Sequence, residues 1–419
     1  MTVPHLQKAK PFSGGAPIER SPVAVSRGQH LLFVVATLLY WMTMYIYVPI
    51  LTPFLQDRGV PLGIIGLIVG SYGLTQLAVR FPLGVYSDRM SRRKPFLIAG
   101  MVAGLISCGL FAIGSSWETP LAGRLVAGLC ASSWVPFTVL YASYFPPEKA
   151  THAMGTLSFL TVAGQLAGMS ASGWLADAGG WNAAFLTGMG IAAVGTLTAS
   201  FIHEPKGTAA HREKPSKEAN EKPLLIQAWS VVRRSPMLLE VAILALLAHC
   251  VLFITMFGFT PLQAVELGAS ESQLTLLVVS FMVPHAFVSL VTGRWIAPRL
   301  GTRRVIGAGF VLSAAFTAAI PFASSLAWLS ITQIGNGAAQ ALYLPLLLGL
   351  AIQDVPSKDR ATAMGFYQSI YSIGMFAGPY LAGWLNDGGG LKAGFAFGAC
   401  VALAAAVIVW LRAPRATRR

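Results

Sequence analysis

Apolar residues in this chain come in long runs separated by short polar breaks. A helix needs roughly 20 apolar residues to cross the hydrocarbon of a bilayer. Runs of that kind lie near 31–55, 61–86, 95–115, 119–145, 151–176, 182–202, 237–262, 273–296, 305–322, 327–352, 361–385 and 392–411. They predict an all-α membrane protein of twelve spans. Most connections are short, but the one near 203–236 is long and charged, with Lys206, His211, Arg212, Glu213, Lys214, Lys217, Glu218 and Lys222. It reads as a flexible linker between six spans and six. The organisation expected is a tail over 1–30, a bundle over 31–203, a linker over 204–236, a second bundle over 237–411 and a tail over 412–419.

Composition agrees: 55% of residues are hydrophobic and 11% charged, with a mean hydropathy of +0.63, where soluble chains carry about a quarter charged residues. The solvent is therefore lipid, and the 43 glycines suit helices that approach closely in a bilayer. The net charge of +14 does not mark a nucleic-acid partner, because the basic residues cluster in the breaks between runs. With both termini in the cytoplasm, 25 of the 30 Lys and Arg fall on that side, as the positive-inside rule requires. The first thirty residues lack an apolar core and read as a cytoplasmic tail rather than a signal peptide. The expectation is a multi-pass protein of the cell (inner) membrane. Cys108, Cys130, Cys250 and Cys400 lie inside apolar runs and are expected to be buried free thiols. Neither a nucleotide loop nor a metal-ligand cluster occurs, so no cofactor, metal or enzymatic activity is expected.

The halves repeat. Pro146 to Gly180 matches Pro356 to Gly390 at an offset of 210, aligning Met154 with Met364, Gly155 with Gly365, Gly168 with Gly378, Trp174 with Trp384 and Asp177 with Asp387. At an offset of 209, Gly84 falls on Gly293, Gly128 on Gly337 and Pro136 on Pro345. Parallel six-helix repeats of this kind are a known transporter architecture.

Between spans 2 and 3 runs Gly84-Val85-Tyr86-Ser87-Asp88-Arg89-Met90-Ser91-Arg92-Arg93-Lys94. It resembles the loop signature of the major facilitator superfamily, with Tyr86 in place of Leu and Ser91 in place of Gly. The resemblance extends over nearly the whole chain and implies that fold. It also implies a conformational latch made by Gly84, Asp88, Arg89, Arg92 and Arg93, with Asp88 facing the positive N-terminal end of span 11. The second-half counterpart, Gly293 to Arg304, keeps Arg303 and Arg304 but has Ala297 and Pro298 in the region of the acid. In span 4, Arg124-x-x-x-Gly128 is similar to the family motif that turns an Arg into the cavity. Span 5 (Gly155, Gly164, Gly168, then Met169) and span 11 (Gly365, Gly374, Gly378, Pro379) resemble the glycine-rich helix-packing motif of the family's antiporters. Span 1, with Tyr45-Ile46-Tyr47-Val48-Pro49, is similar to the first helix of the drug–proton antiporter group.

The resemblance implies that spans 1, 4, 7 and 10 line a central cavity flanked by 2, 5, 8 and 11. Candidate substrate contacts are Tyr40, Trp41 and Tyr45 in span 1, Arg124 and Trp134 in span 4, and Gln165 in span 5. The second half adds His249, Phe253 and Phe257 in span 7, Asn336, Gln340 and Tyr343 in span 10, and Tyr367, Gln368 and Tyr371 in span 11. The 16 acidic residues lie in loops, tails or near span ends, with none at a midplane, so the coupling group is open. Arg124, His249 and His285 are the candidates; alternatively Asp57 or Glu118 lies deep enough to meet Arg124, or the protein is a uniporter or anion exchanger. The expected function is proton-coupled export of small amphiphilic compounds by alternating access. The alternative is import or exchange of a small organic anion, with Arg124 as its counter-charge; a lipid flippase or a receptor stands behind both. The partners expected are the bilayer, a small-molecule substrate and protons, with the chain acting as a monomer.

Overall fold

The computed structural model describes residues 25–90, 92–114, 116–145, 150–204, 232–356 and 360–411. The linker and both tails expected from the sequence fall largely outside these residues. Twelve long helical segments cross the bundle: α1 Arg27–Asp57, α2 Leu62–Met90, α3 Lys94–Ile113, α4 Glu118–Ala142, α5 Ala150–Gly179 and α6 Trp181–Phe201 make the first half. The second comprises α7 Pro236–Glu266, α8 Glu271–Leu300, α9 Thr302–Phe322, α10 Leu326–Gln353, α11 Arg360–Gly389 and α12 Leu391–Leu411. Ten of them are long and apolar enough to span a membrane by composition alone. The two that fall short, α5 and α11, carry the glycine-rich motifs and pack against other helices rather than only lipid. Twelve crossings bring Arg27 and Leu411 to one face, here the terminal face; the other is the far face. Cys108, Cys130 and Cys250 are buried as free thiols, but Cys400 is exposed on α12, a correction that follows from the outer position of that helix.

Proline sets the breaks. Pro49 has no N–H to give the carbonyl four residues back, and α1 is interrupted at Ile46 and Tyr47 before resuming at Val48. In α7 a π-helical turn at Thr255–Phe259 precedes Pro261. The two broken segments meet, with Thr52 Oγ1 donating to the Gly258 carbonyl at 2.9 Å.

Glycines bring backbones into contact within each half. A side chain at Gly164 would meet the Leu38 carbonyl at 3.0 Å, and one at Gly168 the Met42 carbonyl at 2.7 Å, so α5 lies directly on α1. Gly374 and Gly378 seat α11 on Leu246 and Cys250 of α7 in the same way. The expected motif therefore packs α5 on α1 and α11 on α7. Gly155 is the exception, with nothing within 4 Å among the described residues, and it packs against nothing.

Two pseudo-symmetric seams join the halves at the far face. Gly173 on α5 lies against Glu271 at the start of α8, and Gly383 on α11 against Leu62 at the start of α2. Beyond each glycine an aspartate caps the partner helix: Asp177 accepts from the Ser272 amide at 3.1 Å, and Asp387 accepts from the Gly63 amide at 3.1 Å. A carboxylate at a helix N-terminus satisfies free amides and the helix dipole together. The α2–α11 seam continues toward the terminal face, where Gly365 rests on the Phe81 ring. The α5–α8 seam does not. Gly155 lies eighteen residues, five turns, from Gly173 on the same face, and Gly293 lies eighteen from Thr275, which bonds the Ser170 carbonyl at 3.1 Å. Both glycines have open space around them among the described residues. The halves are closed at the far face and splayed along α5–α8 toward the terminal face.

Two outcomes follow. Gly374→Leu should lower stability by about 1–3 kcal/mol through overpacking, read as a lower melting temperature in detergent, while Gly155→Ala should leave it unchanged. Replacing Asp177 and Asp387 by Ala should each raise the population open at the far face about two- to fivefold, the effect of losing about 0.3–1 kcal/mol at a helix terminus. Spin-label distances between the far ends of α5 and α8 report that population, and unchanged distances in the double variant would leave the glycines as the whole closure.

Candidate substrate chamber between the halves

Gly128 on α4 lets α2 approach so closely that a side chain there would meet the Tyr72 carbonyl at 2.6 Å. One turn away, Arg124 is thereby delivered between α2 and α1. Its Nη2 donates to the Val69 carbonyl at 3.2 Å, its guanidinium lies 4.6 Å from the Tyr72 ring centre, and Nη1 is 3.5 Å from the Tyr47 hydroxyl. The side chain is 4% exposed, and Nε has no acceptor. No carboxylate among the described residues pairs with it. Asp57 is exposed and accepts from Trp181 Nε1 at 3.2 Å, and Glu118 is exposed as well. A carboxylate partner for Arg124 at a span end is therefore ruled out among these residues.

Arg124 lines a closed chamber with Met44, Tyr45, Val48, Tyr72, Phe253 and Phe257, so both halves contribute walls. Its volume is about 10 Å³, room for roughly one water, and the aromatic rings fill the rest: Tyr45 meets Phe257 edge-on at 5.8 Å, and Tyr72 stacks with Phe253 at 6.1 Å. Toward the terminal face the aromatic lining continues through Trp41, Tyr40 and Trp134, with Trp41 and Trp134 centres 4.9 Å apart. Trp41 Nε1 is buried without an acceptor. On the far side a vestibule of about 350 Å³, lined by Asp57, Glu266, Glu271 and Trp181 among others, opens above the joined breaks of α1 and α7.

The remaining expected residues divide. Tyr371 on α11 stacks on His249 of α7 at 4.1 Å and meets Tyr367 edge-on at 5.4 Å. Each histidine is pinned through Nδ1, His249 to the Ala245 carbonyl at 2.8 Å and His285 to the Gly337 carbonyl at 3.2 Å. A carbonyl only accepts, so Nδ1 carries the proton and Nε2 is the ring nitrogen left without a partner among the described residues. Gln165 and Gln368 are half-buried, and Gln340 is fully buried with neither amide atom partnered. Asn336 and Tyr343 both face α9 in this structure, Asn336 bonding Ser313 and Thr317 at 3.0 and 3.1 Å and Tyr343 stacking on Phe310 at 4.1 Å. Their contacts are with α9, inside the second half. Of the latch, Gly84, Asp88 and Arg89 fall within α2 but their side-chain surroundings lie outside what the structure describes; Arg92 is exposed, and the Arg93 amide is capped by Glu204 at 2.5 Å.

One buried group was not among the expected site residues. Arg80 on α2 is 7% exposed and donates through Nη1 to the Tyr371 hydroxyl at 2.9 Å, across the seam between halves. The signal in the sequence was its place within an apolar run, the same signal that singled out Arg124.

A membrane bundle of two matched halves with a closed, aromatic, cationic chamber between them is a solute transporter rather than an enzyme. The chain belongs to the Major Facilitator Superfamily, whose family model matches residues 33–266 and again 241–419. It is 32% identical over 127 residues to the multidrug export protein EmrB of Haemophilus influenzae, a stretch covering 30% of this chain and 25% of that protein. It is 23% identical over 335 residues to the cis,cis-muconate transport protein of Acinetobacter baylyi, covering 78% and 80% of the two chains. Among solved structures it resembles a bacterial homologue of the human lysosomal transporter Spinster in an inward-facing, unoccupied conformation, with a TM-score of 0.73 at 16% identity, over 92% of this chain and 96% of that one. That likeness concerns the fold.

Proposed function

We propose that this protein carries a small organic anion, an unsaturated or aromatic carboxylate, across the membrane by alternating access, with Arg124 as its counter-charge. The observation that carries the reading is the Arg124 guanidinium, 4% exposed in the chamber and unpaired by any carboxylate among the described residues. A charge held inside a membrane without a counter-charge is costly and marks a substrate or ion path. Its planar fork suits a carboxylate, and the surrounding rings suit a flat apolar body. The likeness to a muconate transport protein over most of both chains supports the same class. The proposed orientation puts the terminal face in the cytoplasm, from 25 of 30 basic residues, and a single chain supplies every wall of the chamber.

A second reading is proton-coupled export of amphiphilic compounds, with His249 or His285 exchanging the proton. It is supported by the partial likeness to EmrB and by the acidic vestibule, which favours cations at the far face. Exposed carboxylates are screened by salt within about 10 Å, whereas the buried guanidinium is not, and the first reading is therefore preferred.

Proteoliposomes with a trapped pH-sensitive dye separate the two. Uptake of labelled benzoate or muconate, reduced at least tenfold by Arg124→Gln, is the expected result. Proton movement driven by lipophilic cations, kept in Arg124→Gln and lost in His249→Ala, would promote the exporter instead.

A further inference from the structure

The chamber holds one guanidinium; of the three arginines buried among the described residues, Arg93 stands just before α3 with its amide bonded to Glu204, and Arg80 is the other one inside a span. Val69, whose carbonyl binds Arg124, and Arg80 are eleven residues apart on α2, about 16 Å of helical rise, with Arg80 nearer the terminal face. That is the rise between the two backbone positions, so the two arginines are anchored at successive levels along α2. Among the described residues Arg80 makes one hydrogen bond, from Nη1 to Tyr371 Oη at 2.9 Å, and its Nε is buried with no acceptor there. Tyr371 is itself held in place by the parallel His249 ring at 4.1 Å and the perpendicular Tyr367 ring at 5.4 Å. No carboxylate among the described residues meets Arg80. A neutral side chain would serve a mere tie between α2 and α11 equally well; a full charge beside an unfilled donor, with no carboxylate among the described residues to meet it, leaves a place for an anionic acceptor.

We infer that Arg80, positioned by Tyr371, is a second carboxylate-binding station on the terminal side of the chamber, to which the anion passes after leaving Arg124. This rests on the proposed transport of an organic anion. It adds that the path has two successive charge stations, with Arg124 between α4 and α2 and Arg80 on the α2–α11 seam. The tyrosine hydroxyl, which now accepts from Nη1, is free to donate to the arriving carboxylate. Because Tyr371 belongs to the second half and Arg80 to the first, a bound carboxylate would bridge the halves at this level.

Counterflow exchange of labelled benzoate and muconate in uniformly oriented vesicles tests it, with substrate presented at each face in turn. Arg80→Gln keeps the capacity to hydrogen-bond Tyr371 but removes the charge. It should raise the half-saturating concentration at the terminal face at least tenfold and at the far face less than twofold, with Arg80→Lys recovering most of the loss. Equal changes at both faces, or a fall in maximal rate alone, would overturn the station while leaving anion transport standing. If wild type exchanges neither acid, the transport reading and the station fall together. Should Arg80→Gln not fold, as judged by size-exclusion profile, Tyr371→Phe carries the test. It should raise the terminal-face value about threefold, and an unchanged value overturns the proposal.

Discussion

Backbone against backbone, with glycine in between, is the contact on which the rest of this bundle depends. In a bilayer no hydrophobic force draws apolar helices together, and association relies on close packing. Gly164 and Gly168 let α5 rest on the carbonyls of α1, and Gly374 and Gly378 do the same for α11 on α7. Each half thus fixes the helix that forms the seam to the helix that carries a proline break. A shift at a seam is transmitted to the breaks near Tyr45 and Phe257, which close the chamber. Packed interfaces of this kind switch between discrete arrangements rather than deforming continuously.

Electrostatics supplies the second constraint. Acids at the far ends of α5 and α11 sit on helix N-termini, where free amides stabilise them. Arg80 and Arg124 have no such acid among the described residues and rely on ring faces, hydroxyls and a carbonyl. Carboxylates therefore cap helices at the far face, while cations with no carboxylate beside them among the described residues lie in the interior. The asymmetry between seams, one closed along its length and the other splayed at Gly155 and Gly293, places the opening on the side that carries the chain ends.

Much of this was legible in the sequence, for physical reasons. Crossing hydrocarbon demands about 20 apolar residues, so the runs fixed the helix count and the all-α class without reference to packing. The offset of 210 placed Gly173 opposite Gly383 and Asp177 opposite Asp387 before their shared role was visible. An arginine inside an apolar run marks itself as costly, which identified Arg124 and applied equally to Arg80.

Direction was what only the tertiary structure decided. Residue type and span number do not say which way a side chain points, because that depends on helical phase relative to neighbours and on where prolines break the helix. Asn336 and Tyr343 face α9, and Gly155 belongs to a packing motif yet has nothing within 4 Å among the described residues. Arg80 meets Tyr371 across 291 residues of chain, a pairing no local pattern encodes. The sequence determined how many helices there are and which groups are expensive to bury; the close approach of α2 to α11 decided which of those groups meet.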